Sequence, residues 1–188
     1  MNQASNPATV LAIVIALVVV AALVWIFTRQ KRTQQLKRQF GPEYERTLHE
    51  KGDVRQAERD LRHRAHRVRE FDIRPLAPDQ RARFSDEWRS QQARFVDEPH
   101  GALVEADHLV TEVMKVRGYP VADFDQNASD ISVDHPHVVE NYRAAHAIAE
   151  RDERGEASTE DLRKAMVYFR SLFEDLLADR PVERGAHA

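Results

Sequence analysis

The alternation of apolar and polar positions changes character near residue 28. Ala8 to Phe27 reads ATVLAIVIALVVVAALVWIF, apolar apart from Thr9 and without one charge. At ~1.5 Å per residue a helix of that length is ~30 Å long, the thickness of a bilayer's hydrocarbon core. Asn6 can cap it, and Pro7 suits its first turn, where a missing N–H is unpaired anyway. Trp25 stands near the far end, at the level an indole prefers, the headgroup boundary. The pattern predicts a membrane-spanning helix over residues 8–27.

The helix is expected to continue to about Gln39, where Phe40-Gly41-Pro42 interrupts it. A short helix over Glu43–Glu50 places Tyr44 and Leu48 on one face. Asp53 and Gln56 then have the spacing of a capping box, and Val54, Ala57, Leu61, Ala65, Val68 and Phe71 follow at three-to-four spacing. That seam is thin, and Arg55, Arg59, Arg62, Arg64, Arg67 and Arg69 crowd it. The expectation is a solvated stalk or weak coiled coil, stopped at Asp72-Ile73-Arg74-Pro75 because a residue before proline avoids the helical region.

Beyond Pro75 the punctuation is sharper. Pro78 opens a helix with Phe84, Trp88 and Phe95 on one stripe, and Asp97-Glu98-Pro99 makes a break and a new start. The next helix carries Ala102, Ala106, Leu109, Val110 and Val113 and stops at Gly118-Tyr119-Pro120. Val121, Phe124, Ala128 and Ile131 outline a shorter helix. Asp134-His135-Pro136 is expected to begin another, with Val138, Val139, Tyr142, Ala145 and Ala149 inward. Ser158 or Thr159 caps the last one, whose face runs Leu162, Ala165, Met166, Phe169, Leu172, Phe173, Leu176 and Leu177. No stretch alternates with period two. The fold class is therefore all-α, with a single N-terminal transmembrane helix, a charged helical stalk and a small helical bundle. The expected layout is a short extracytoplasmic tail at 1–7, the transmembrane helix at 8–27, a basic stalk at 28–74, the bundle at 75–178 and a flexible tail at 179–188.

Charge decides direction. Arg29, Lys31, Arg32, Lys37 and Arg38 follow the apolar run, and residues 1–7 carry no charged side chain. By the positive-inside rule the cationic flank stays in the cytoplasm, N-terminus out. A cleaved secretory signal, the competing reading, needs a cationic n-region, a shorter apolar core and a small-residue cleavage site. Here Trp25, Ile26 and Phe27 stand where that site would be. The same five cations form a membrane-surface basic cluster that attracts anionic headgroups.

The chain has 188 residues, 31% charged, with net charge −3, and its mean hydropathy is −0.61 despite the apolar segment. It has no cysteine, which excludes disulfides and thiolate metal sites. The strings RQFGPEYERTL, FDIRPLAPDQ, RFVDEPHGALVEADHLVTEVMKVRGYP and SVDHPHVVENYRAAHAIAERDERGEASTEDLRKAMVYFRSLFEDLL resemble an uncharacterised family of bacterial proteins with one N-terminal membrane helix and a helical soluble domain. The resemblance implies a bacterial inner membrane and carries no catalytic, cofactor-binding or metal residue with it.

Candidate chemistry is sparse. Asp134, His135 and His137 bring two imidazoles and a carboxylate within four residues, the nearest thing to a metal cluster, and His137 and Glu140 are three apart. Zinc needs three or four converging ligands, so helix capping with solvated histidines is the simpler expectation. Glu105 and His108 have the Glu-x-x-His spacing of di-iron bundles, but no second such motif exists to complete one. His146 lies beside Tyr142 at the edge of an apolar face without a patterned nucleophile. The arginines at 55–69 interleave with acids and lack stacking aromatics, so nucleic acid is not an expected partner. No cofactor is implied and no residue is assigned to catalysis. The sequence reads as a membrane-anchored scaffold or adaptor that engages an unidentified protein partner. A small-molecule- or metal-binding helical domain, catalytic or not, is the alternative, and a secreted helical domain the further one.

Overall fold

The computed structural model describes residues 7–178 and, among them, contains eight helices and no strand. Most of the N-terminal tail and the C-terminal tail expected at 179–188 lie outside the described residues, as does Asn6. The helices are α1 (Pro7–Phe40), α2 (Pro42–Lys51), α3 (Val54–Arg69), α4 (Pro78–Arg94), α5 (Pro99–Arg117), α6 (Phe124–Asp134), α7 (Val139–Glu153) and α8 (Thr159–Leu177). Helix α1 has 34 residues, and from Val14 onward it is long and apolar enough to cross a membrane by length and composition. None of that apolar window is buried against the rest of the chain.

Helix α8 is the axis of the bundle. Its wide apolar face lies between α5 and α7, and Phe173 stacks on Trp88 of α4 with ring centroids 4.6 Å apart. Ser158 and Asp161 close a reciprocal capping box at its start, satisfying N–H groups that would otherwise lack partners. Its C-terminal end has no basic residue of its own in the last turn. Arg117, at the end of α5 and 3% exposed, supplies the cation by donating to the Leu176 carbonyl at 2.6 Å. Gly118 ends α5 in the left-handed region at φ +98, and a Cβ there would lie 2.3 Å from the Asp72 carbonyl oxygen. That close approach lets Arg74 N–H bond the Arg117 carbonyl at 2.8 Å and lays residues 72–76 across the end of α5.

The solvated stalk is corrected by the structure. Leu36 and Phe40 of α1, Tyr44 of α2, and Leu61, Ala65 and Val68 of α3 are all buried, in the same apolar cluster as Phe84, Val113 and Phe169. Helix α3 packs on α2 and α6, its Asp53 cap accepting from Gln56 N–H at 2.8 Å. Two of its crowded arginines, Arg64 and Arg67, turn inward because acids from other helices meet them, while Arg55, Arg59, Arg62 and Arg69 stay exposed. Glu43 of α2, 1% exposed at its side chain, takes Arg64 at 2.8 Å and Arg143 of α7 through two bonds at 2.7 and 2.8 Å. Asp130 of α6 takes Arg67 at 2.5 Å. The core therefore begins at Leu36, nine residues beyond the end of the predicted transmembrane stretch, rather than near Pro75.

Candidate functional site

The Asp134-His135-Pro136-His137 sequence does not start a helix. Helix α6 runs through Asp134, His135 is its C-cap, and a turn follows before α7 begins at Val139. The three candidate ligands diverge. Tyr119 donates to Asp134 Oδ2 at 2.9 Å; His135 Nδ1 lies 2.6 Å from Asp175 Oδ2; His137 is exposed, its ring beside Gly41. His135, expected to be solvated, is 6% exposed. The imidazole is buried because α8 brings Asp175 to it across forty residues of sequence. Burial, then the Asp134 carboxylate, pushes the Tyr119 phenol far above its ordinary value, so it acts as a neutral donor. These contacts tie the α6–α7 connection to α5 and α8.

Glu105 and His108 are both exposed on α5. Between them Asp107 turns inward, and the sequence reading missed it. His146 of α7 lies flat against Phe124 of α6, ring centroids 3.6 Å apart, with Nδ1 3.9 Å from Asp107 Oδ2. The Tyr142 hydroxyl hydrogen-bonds the Thr111 and Asn127 side chains, and burial followed by the nearby Asp107 carboxylate raises its pKa. Burial also raises the Asp107 carboxyl, against the opposing pull of His146 and His108. Asp107 Oδ1 and His146 Nδ1 have no hydrogen-bond partner within the protein. An acid, an imidazole and a phenol thus meet where α5, α6 and α7 converge. The only sequence signal was an aspartate one residue past a core alanine. Among the described residues no group of three or more His, Cys, Asp or Glu is placed to hold a metal ion.

The basic cluster keeps most of its charge free. Arg29, Lys31, Arg32 and Arg38 are exposed on α1, Arg29 lying over the Trp25 ring at 5.5 Å and Lys31 over Phe27 at 4.7 Å. Lys37 differs: its ammonium pairs with Glu45 at 2.9 Å, and that hydrogen bond raises its pKa.

No known protein family, curated protein or solved structure matches the chain. The functional reading therefore stands on the residues and their geometry.

Proposed function

We propose that the protein is a membrane-anchored helical scaffold or adaptor, held by α1 in a bacterial inner membrane, whose bundle engages a protein partner in the cytoplasm. The observation that carries this reading is the continuity of α1. Its large apolar residues from Val14 to Phe27 are 45–63% exposed, a surface that water disfavours and hydrocarbon accepts. The same helix inserts Leu36 and Phe40 into the core without a break. Five cations after the apolar run and none before it support the N-out direction.

Carbonate extraction and a C-terminal reporter fusion test the anchor and its direction. Wild type should resist extraction and show no periplasmic phosphatase activity. Val18→Arg, at ~2.5–3.5 kcal/mol for a helix centre, should weaken retention. Periplasmic activity, a shortened chain, or unchanged retention of the variant would refute the assignment. Site-specific photo-crosslinking from exposed bundle positions in intact cells tests the adaptor role. One saturable protein adduct confined to one face supports it, and adducts spread evenly over all faces refute it.

The meeting of Asp107, Tyr142 and His146 favours a second reading, a ligand-binding or catalytic bundle. Asp107→Asn that abolishes binding of a co-purifying small molecule, without lowering the melting temperature, would establish it.

A further inference from the structure

The far end of the apolar run on α1 and the first turns of α3 lie side by side and leave a cleft of ≈ 500 Å³. Its α1 wall is Trp25, Arg29 and Arg32; its α3 wall is Arg55, Arg59 and Arg62 around Glu58. Five guanidiniums thus face one carboxylate. That carboxylate is already engaged, accepting from the Thr33 hydroxyl at 2.6 Å and the Tyr44 hydroxyl at 3.4 Å, with Arg62 at 3.9 Å.

Several exposed arginines elsewhere in the chain are matched to a nearby acid, as in Arg163–Glu160, Arg170–Glu174 and Arg94–Glu98, while Arg38 and Arg69 stand singly without one among the described residues. In the cleft, Arg29, Arg32, Arg55 and Arg59 have no acid within ion-pair distance among the described residues. Arg59 donates only to the Arg55 carbonyl, and Arg29 lies on the Trp25 ring. Like charges gathered without counter-charge repel, and an anion entering between them relieves that repulsion. Guanidinium forks match phosphate oxygens bidentately.

Depth selects the kind of anion. If Trp25 sits at the headgroup boundary, Arg29 and Arg32 lie roughly 6 and 10 Å further along the axis. The headgroup layer on one side of a bilayer is roughly 5–8 Å thick. The cleft therefore opens at the height of the lipid phosphates. We propose that it binds the anionic headgroup of a phospholipid from the leaflet on the soluble domain's side, with α3 supplying more than half of the charge. This rests on the membrane reading of α1 and goes beyond the general attraction of residues 29–38 to a charged surface, because it requires Arg55, Arg59 and Arg62.

The test uses the full chain in phosphatidylcholine bilayer nanodiscs with phosphatidylglycerol included at rising mole fraction, binding being read as a rise in melting temperature. Arg55→Gln with Arg59→Gln removes two cleft charges from exposed, helix-compatible positions. At roughly fivefold per cation, the half-saturating mole fraction should rise about 25-fold. Lys31→Gln with Arg38→Gln removes the same charge outside the cleft and should change it less than about threefold. Equal rises for the two pairs would overturn the proposal in favour of diffuse attraction. Equal stabilisation by inorganic phosphate or a single-stranded oligonucleotide, with phosphatidylcholine alone, would overturn the lipid assignment. Carbonate extraction of the wild type separates the two levels: an extractable chain sinks the membrane reading, whereas a retained chain without phosphatidylglycerol preference sinks the cleft alone.

Discussion

Glu43→Gln is the most demanding test of the structure, because it acts where the sequence foretold a solvated stalk. The substitution keeps shape and removes charge. Glu43 is 1% exposed at its side chain, and the two guanidiniums it holds, on Arg64 and Arg143, are 9% and 14% exposed. Without the carboxylate those cations face each other in a poorly hydrated space. Arg64 keeps Asp60 at 2.5 Å, and Arg143 keeps only Glu140, at 3.7 Å and 68% exposed. Removing one partner from a buried ion pair costs about 3–5 kcal/mol, most of it the penalty of the charge left behind. A chain of this size loses about 2–4 °C per kcal/mol, so the melting temperature should fall by about 6–20 °C.

The assay is thermal unfolding of the full chain in micelles, followed by far-ultraviolet circular dichroism, with Glu160→Gln as comparison. Glu160 pairs with Arg163 at 2.8 Å on an exposed surface and should show no measurable shift. Adding Arg143→Gln to Glu43→Gln should restore part of the loss, because it removes the stranded charge and leaves Arg64 with Asp60. If Glu43→Gln melts within about 2 °C of wild type, α2 and α3 are not joined to α7 and the single core is wrong.

Phe173→Ala removes a ring 2% exposed and stacked on Trp88, and should cost about 3–5 kcal/mol in chemical denaturation; a near-neutral result would make that face of α8 a partner surface. Gly118→Ala places a Cβ 2.3 Å from the Asp72 carbonyl at a positive φ, and should lower the melting temperature by an amount equivalent to about 1–3 kcal/mol. Asp107 has a carboxyl raised by burial, so folding favours its protonated form, and the resulting stability is complete below the unfolded carboxyl's pKa and fades as pH rises through the folded one. Asp107→Asn, neutral at every pH, should therefore melt above wild type at neutral pH, with the gap closing in acid; a gap that widens in acid would contradict the assigned burial.

The parts of the fold legible in sequence are those in which local chemistry and tertiary position agree. Pro78, Pro99, Gly118 and Ser158 mark helix ends that the structure keeps, and the apolar stripes of α4, α5 and α8 face the core. Helix α3 misled because charge was counted along one helix. Arg64 is buried by Glu43, 21 residues away, and the same carboxylate reaches Arg143 across 100 residues. No periodicity within α3 encodes that closure. His135 was misplaced for a related reason: a histidine before proline reads as a helix start, yet α6 continues to Asp134 and Asp175 of α8 draws the ring inward. Asp107 was hidden because it borders a core stripe and only α7 shows what it faces.

Correcting α3 changes what the basic stretch does. A flexible stalk would let a bundle roam above a membrane, and its arginines would act only as averaged charge. Helix α1 instead passes unbroken from its apolar run into the core, with Thr33 already bonded to Glu58 and Leu36 already buried. Residues 28–32, about 8 Å of helix at ~1.5 Å per residue, are all that separates the two environments. With α1 in a bilayer, such a short rigid connection fixes both the height and the rotation of the bundle, because helix rotation is set by residue number. In that arrangement the arginines of α3 would be held at one depth near the headgroups, as the proposed lipid site requires. The same rigidity would present the remaining faces of the bundle to the proposed partner at constant height, so a partner that is itself membrane-bound would gain effective concentration from the shared plane.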